Sequence, residues 1–186
     1  IMKIGLVLAG GGGKGAYELG VWKALDELKL TKYITVFSGT SIGAFNSVLF
    51  AMNDMKKAYE LWEEVTMDKL VPISKSELIK RGIGLYIGGK NLQLAKKFLN
   101  YKLEHGAIAN DGAIEVVEKY LDFNKIKENN KICYAACTKL SDFSAKYFKI
   151  NDFDEETGKK IVLASASLPL IYDCTEVLGE KYIDGG

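Results

Sequence analysis

The stretch Ile4-Gly-Leu-Val-Leu-Ala9, followed by Gly10-Gly-Gly-Gly-Lys14-Gly15, decides how the rest of the chain is read. A short continuous apolar run that stops on glycine is the pattern of a strand buried in a parallel sheet. From Ala16 onward, Leu19, Val21, Trp22, Leu25 and Leu28 recur with a helical period, which predicts an amphipathic helix with these residues inward. Thr35-Val-Phe37 reads as a second short strand, ended by Ser38-Gly39, and residues 44–52 are nearly all apolar, as in a buried helix. Strand, helix, strand, helix in one run predicts an α/β fold with a mainly parallel central sheet flanked by helices.

The middle of the chain is more helical. Residues 55–65 place Tyr59, Leu61, Trp62 and Val65 on one face, and residues 91–103 and 113–121 give two more helices. Residues 82–89 are apolar but too glycine-rich for a regular element, and their glycines suggest a mobile cover. Leu85, Tyr86 and Ile87 there, with Phe98 and Tyr101 beyond, suit either a lipid groove or plain packing. Further on, residues 132–136 and 145–150 read as strands around a Leu140-Ser-Asp-Phe143 turn. A helix over 155–164 follows, closed off by Pro169. A final hairpin turns at Gly179, with arms at 176–178 and 181–183.

The chain has 186 residues, 48% of them hydrophobic and 26% charged, which fits one globular domain with a sizeable core. Its 25 basic and 24 acidic side chains leave a net charge of +1, which provides no footprint for nucleic acid and no polybasic membrane anchor. No apolar run reaches the ~18 residues that span a bilayer, and the first apolar run is too short for a signal peptide. Ile1, ahead of Met2, is left out of the reading. Cys133, Cys137 and Cys174 make an odd set without zinc or disulfide spacing. They read as buried reduced thiols, and a cytoplasmic location is expected. No metal site and no cofactor are expected.

Three motifs carry chemistry. Gly39-Thr40-Ser41-Ile42-Gly43 fits the nucleophile elbow Gly-x-Ser-x-Gly, between a predicted strand and a predicted helix. Such a turn needs small residues on both sides of the serine and lifts its hydroxyl to a helix N-terminus. The plainer alternative is a glycine-rich turn with Ser41 as N-cap. Gly10, Gly11, Gly12, Gly13, Lys14 and Gly15 form a loop whose N–H groups can hold an oxyanion. Gly10, Gly12 and Gly15 also satisfy the dinucleotide pattern Gly-x-Gly-x-x-Gly, but the second strand ends in Phe37-Ser38-Gly39 without the carboxylate a ribose needs. A phosphate-binding Walker loop fails, because Gly15 follows Lys14 where Ser or Thr should stand. The third motif is Asp184-Gly185-Gly186, at the end of the last strand. A serine nucleophile needs a base. His105, the sole histidine, lies in a polar stretch, which leaves a carboxylate or lysine as the partner of Ser41.

In this order the three motifs resemble the signature of the patatin-like phospholipases. The glycine loop at Gly10–Gly15 resembles the family's oxyanion loop, where the Lys14 position is commonly basic. The elbow at Gly39–Gly43 and Asp184-Gly-Gly186 resemble its other two motifs, and Ala164-Ser-Ala-Ser-Leu-Pro169 resembles a recurrent family segment. The resemblance implies a three-layer α/β fold with a helical insertion in the middle of the chain. It also implies a Ser41–Asp184 dyad without histidine, acting through an acyl-enzyme on fatty-acyl esters of phospholipids or related lipids. The substrate would be met at a membrane or micelle surface, peripherally, and oligomeric state stays open.

In that family more chain follows the Asp-Gly-Gly segment. Residues 1–186 are therefore expected to be one catalytic domain truncated at its C-terminal end. Two other readings stand beside the hydrolase: a nucleotide-binding module built on Gly10–Gly15, and a catalytically silent lipid-binding domain.

Overall fold

The computed structural model describes residues 3–65, 111–169 and 171–186. The predicted helix at 91–103, the glycine-rich stretch 82–89 and His105 lie outside the described residues.

The chain opens with β1 (Ile4–Leu8), α1 (Gly15–Glu27), β2 (Ile34–Thr40), α2 (Ile42–Ala51) and α3 (Met55–Glu64). Further on come α4 (Asp111–Tyr120), α5 (Phe123–Glu128), β3 (Ile132–Lys139), β4 (Ala145–Lys149), α6 (Glu155–Ser165), β5 (Thr175–Val177) and β6 (Glu180–Asp184). β1, β2 and β3 run parallel side by side, while β4 and β6 pair antiparallel to β3 and β5 closes onto β6. Among the described residues the predicted strands and helices are present.

β2 is longer than Thr35–Phe37 because its pairing continues: Ser38 and Gly39 lie opposite Val7 and Leu8, and Thr40 opposite Ala136. The sequence pattern does not predict α5. It is a short helix whose N-terminus is capped by the Asp122 side chain, which accepts from the N–H groups of Asn124 and Lys125. Leu28 is 69% exposed, contrary to its predicted inward place, because α1 ends at Glu27 and Leu28 lies past the last packed turn. β1 is also less buried than expected, with Val7 80% exposed. Among the described residues β1 has one sheet neighbour, β2, and only its alternate residues Ile4, Leu6 and Leu8 face the core.

The core lies between the sheet and the helices. Trp22 of α1 stacks on Phe50 of α2 at 5.0 Å and tilts against Phe37 of β2 at 5.6 Å. Every residue of α2 from Gly43 to Ala51 is buried. Each fully buried large side chain here stabilises by roughly 1.5–3 kcal/mol. Cys133 and Cys137 point from β3 into the same layer, where their thiols donate to the carbonyls of Ser47 in α2 and Ile161 in α6. The buried-thiol reading therefore holds for these two, and burial pushes the Cys137 thiol up to about 12, which keeps it protonated. Cys174 is only half-buried.

The site is positioned by the strand order. β4 holds one edge of β3 across Tyr134–Thr138. Both β2 and β6 must therefore use the other edge. β2 runs along it until Thr40 meets Ala136, and β6 runs from the opposite direction until Asp184 meets Cys137. The carboxyl ends of β2 and β6 thus meet head to head at Ala136–Cys137.

Candidate active site

Ser41 is the first residue after β2. Its backbone sits at φ 56°, ψ −129°, a conformation side chains rarely adopt and one that costs roughly 1–3 kcal/mol. The flanking glycines enforce it. A Cβ on Gly39 would lie 2.1 Å from the Gly43 carbonyl oxygen, and one on Gly43 would lie 2.3 Å from the Leu8 carbonyl oxygen. β1, β2 and the start of α2 therefore meet backbone on backbone, and no other residue fits at either place. Ser41 occupies the N-cap position of α2, yet its hydroxyl makes no capping bond. The hydroxyl is left for another partner.

That partner stands across the junction of β2 and β6. The Ser41 hydroxyl lies close enough to the Asp184 carboxylate to favour its charged form. Burial outweighs this and raises the Asp184 pKa above the ordinary carboxylate value, against the opposing effects of Ser41 and the Gly186 N–H. Asp184 is 5% exposed. Its Oδ1 accepts from Gly186 N–H at 2.8 Å. Its Oδ2 is buried and has no partner of good hydrogen-bond geometry among the described residues, so the Ser41 contact is a proximity and not a well-aligned bond. Gly185 is obligatory too, since a Cβ there would lie 2.4 Å from the Ala136 carbonyl oxygen.

The segment Ala164-Ser-Ala-Ser ties both residues down. Ser165, the last residue of α6 and fully buried, accepts from Ser41 N–H at 3.0 Å and donates to the Ala136 carbonyl at 2.6 Å. The Ser167 carbonyl accepts from Asp184 N–H at 2.9 Å. Sequence reasoning marks this segment only as a recurrent family block and misses the role of its serines. Two serines at a helix end, shortly before the Asp-Gly-Gly motif, are the available signal.

The glycine loop closes the third side. A Cβ on Gly10 would lie 3.2 Å from Ser41 Cβ, so that glycine faces the elbow directly. Gly11 (φ 145°) and Gly12 (φ 55°) hold left-handed conformations that glycine alone adopts without strain. Gly12–Lys14 form a single 3₁₀ turn, in which Lys14 N–H bonds the Gly11 carbonyl and Gly15 N–H bonds those of Gly12 and Gly13. The N–H groups of Lys14 and Gly15 are thus used inside the turn.

An apolar cavity of about 260 Å³ opens beside Ser41 and Gly12. Ile42, Phe45, Trp62, Val116, Val162 and Leu168 are among its walls, contributed by α2, α3, α4, α6 and the segment after α6. Among the described residues no charged side chain lines it. Among the same residues there is no group of His, Cys, Asp and Glu side chains that could hold a metal, and no helix long and apolar enough to cross a membrane.

Comparison with known proteins shows the family. The family model for patatin-like phospholipase matches residues 6–186. The chain belongs to that family. Lysophospholipase nte1 of Aspergillus terreus is 52% identical over 48 residues, 26% of this chain and 3% of that protein. Lysophospholipase NTE1 of Coccidioides immitis is 46% identical over 57 residues, 30% of this chain and 4% of that protein. Among solved structures, VipD from Legionella pneumophila aligns over all of this chain and 46% of its own, with TM-score 0.61 and 21% identity. ExoU from Pseudomonas aeruginosa, solved with SpcU, aligns over 91% of this chain and 39% of its own, with TM-score 0.53 and 18% identity. This patatin-like chain therefore spans a few per cent of the curated relatives' length and under half of either structural neighbour. The structural likeness establishes the fold, a three-layer α/β sandwich with a mixed, mostly parallel sheet.

Proposed function

We propose that this chain is a serine acyl hydrolase acting on fatty-acyl esters of phospholipids or related lipids, with residues 1–186 as one catalytic domain. The observation that carries the reading is the head-to-head meeting of β2 and β6, which sets the Ser41 hydroxyl against a buried Asp184 carboxylate. The names of the lysophospholipase relatives support the substrate class.

In this mechanism Asp184 accepts the Ser41 proton as the Ser41 oxygen attacks the ester carbonyl. An ordinary carboxylate, with pKa ~3.9, is a weak base for an alcohol. Burial raises the proton affinity of Asp184 and narrows that gap. The N–H groups of Gly11–Gly13 receive the oxyanion, and one such donor can be worth roughly 3 kcal/mol. The tetrahedral intermediate collapses, Asp184 returns its proton to the departing alcohol, and an acyl-Ser41 ester remains. Water, deprotonated by Asp184, then releases the fatty acid and restores the serine. The apolar cavity beside Ser41 takes the acyl chain, and the headgroup stays toward the lipid aggregate that presents the substrate, so the enzyme works peripherally at a membrane or micelle surface.

The test is turnover of a medium-chain nitrophenyl ester and of a phospholipid, with Ser41→Ala and Asp184→Asn compared against the parent. Both replacements are expected to lower kcat roughly 10³-fold or more with the fold intact by circular dichroism. Unchanged turnover in Ser41→Ala would sink the mechanism. Retained lipid binding with no turnover in any form would favour the silent binding domain instead.

A further inference from the structure

Behind the glycine loop lies a polar cluster for which the acyl-transfer chemistry has no direct use. Asn46 is fully buried in the middle of the apolar helix α2. Its amide nitrogen donates to the Gly15 carbonyl at 3.0 Å and to Glu18 Oε2 at 2.8 Å. Its amide oxygen accepts from Trp62 Nε1 at 3.2 Å. Both hydrogens of the amide nitrogen are used, and the oxygen has a partner as well. Glu18, on the first turn of α1, has its carboxyl raised by burial, against the Asn46 amide and the Ala9 N–H, which both favour the charged form. The Glu18 carboxylate thus ties the start of α1 to the helix after the elbow through the Asn46 amide.

A buried asparagine in an otherwise apolar helix is costly unless its bonds are made. An alanine or leucine there would satisfy packing alone. One of the bonds that are made holds the end of the glycine loop, and the other two tie α1 and α3 to the same amide. Gly15 ends the loop, and a Cβ on it would lie 2.6 Å from the Trp62 ring and 2.7 Å from Ile42 Cγ1, so the loop is clamped there by shape as well as by hydrogen bonding. Trp62 is also a wall of the apolar cavity.

We infer that Glu18, Asn46 and Trp62 form a positioning network that fixes the Gly15 end of the glycine loop to α2 and α3 and so keeps its N–H groups aimed at Ser41. The inference rests on the acyl-hydrolase reading for its catalytic consequence, though not for its geometry. None of the three side chains is assigned contact with the reacting atoms. They act through the loop, whose value lies in being held before charge develops. The network also joins the cavity wall to the loop, through the Trp62 indole and the Asn46 amide.

The experiment compares Asn46→Ala, Glu18→Ala, Glu18→Gln and Trp62→Phe with the parent by two readouts. Steady-state ester hydrolysis is expected to show kcat reduced roughly ten- to a hundredfold in Asn46→Ala and Glu18→Ala, with KM within about twofold. Glu18→Gln keeps an acceptor for Asn46 and recovers most of the rate. Amide hydrogen exchange is expected to quicken at Gly11–Gly13 in Asn46→Ala while β2 and β3 stay as protected as in the parent. Trp62→Phe keeps the ring and removes only the indole donor, so it serves where Asn46→Ala does not fold. Exchange that quickens uniformly across the fold, or kcat unchanged while the melting temperature falls, would overturn the inference and leave the cluster purely structural. If the parent itself turns over no ester, the hydrolase reading fails, and local against uniform exchange still decides whether the network holds the loop.

Discussion

Asp184 carries opposing demands. In the proposed mechanism it must be ionised to accept a proton, yet it is buried, and burial favours the neutral acid. A carboxyl whose folded-state pKa is raised stabilises the fold below its ordinary pKa, and that contribution is lost as pH rises through the folded-state value. Relative to Asp184→Asn, the parent should therefore be most stable below about pH 4 and lose ground toward neutrality. Thermal melts of both proteins across that range test this; parallel curves would show that burial does not penalise the charge. Turnover should run the other way, rising with pH along an acid limb above the usual carboxylate range. Stability surrendered at a functional group is a common trade in enzymes.

Elements show the same contrast between tolerant and intolerant positions. Gly20 lies inside α1 with nothing within 4 Å of where a Cβ would stand, whereas Gly43, at the start of α2, would drive a Cβ to 2.3 Å from the Leu8 carbonyl oxygen. Gly20→Ala should stabilise the protein by roughly 0.5–1 kcal/mol, because alanine is the better helix former and the space is open. Gly43→Ala should destabilise it by at least about 1–3 kcal/mol and abolish turnover, since β1 and α2 must part. Chemical denaturation of the pair measures both. Equal effects would mean that the elbow can relax, contrary to the backbone contact seen at Gly43.

At the scale of the whole molecule, the apolar cavity is built from side chains of four helices and of the segment after α6. At about 260 Å³ it lies just below the ~300–1,000 Å³ usual for ligand sites, a size that favours one acyl chain over a whole diacyl lipid. Val116 lines it from α4 and is half-buried, so Val116→Phe should fill part of the space without opening the core. Turnover of long-chain nitrophenyl esters should then drop relative to short-chain ones, while short-chain kcat/KM stays near the parent value. A chain-length profile that does not move would remove the cavity from substrate binding.

The sequence by itself determined most of the described elements, the short α5 excepted, and which residue types stand at their ends. Apolar periodicity is local, so β1, α1, β2, α2, the β3–β4 hairpin and α6 were all legible within a few residues of their bounds. The elbow and the Asp-Gly-Gly motif were legible as well, because backbone crowding at Gly39, Gly43 and Gly185 leaves no other residue possible. Only the tertiary structure decided what faces what. Choice of strand partner is not local, and the meeting of β2 with β6 follows from β4 having taken the other edge of β3. The same holds for Ser165 behind Ser41 and for Glu18 and Asn46 behind the glycine loop, polar residues whose partners lie on other elements. The exposure of Leu28 and Val7 was likewise hidden, since periodicity marks which residues can be buried and packing decides which ones are. The proton affinity of Asp184 belongs to that second class: a carboxyl's chemistry is written in its residue type, but its desolvation exists only once the chain has closed around it.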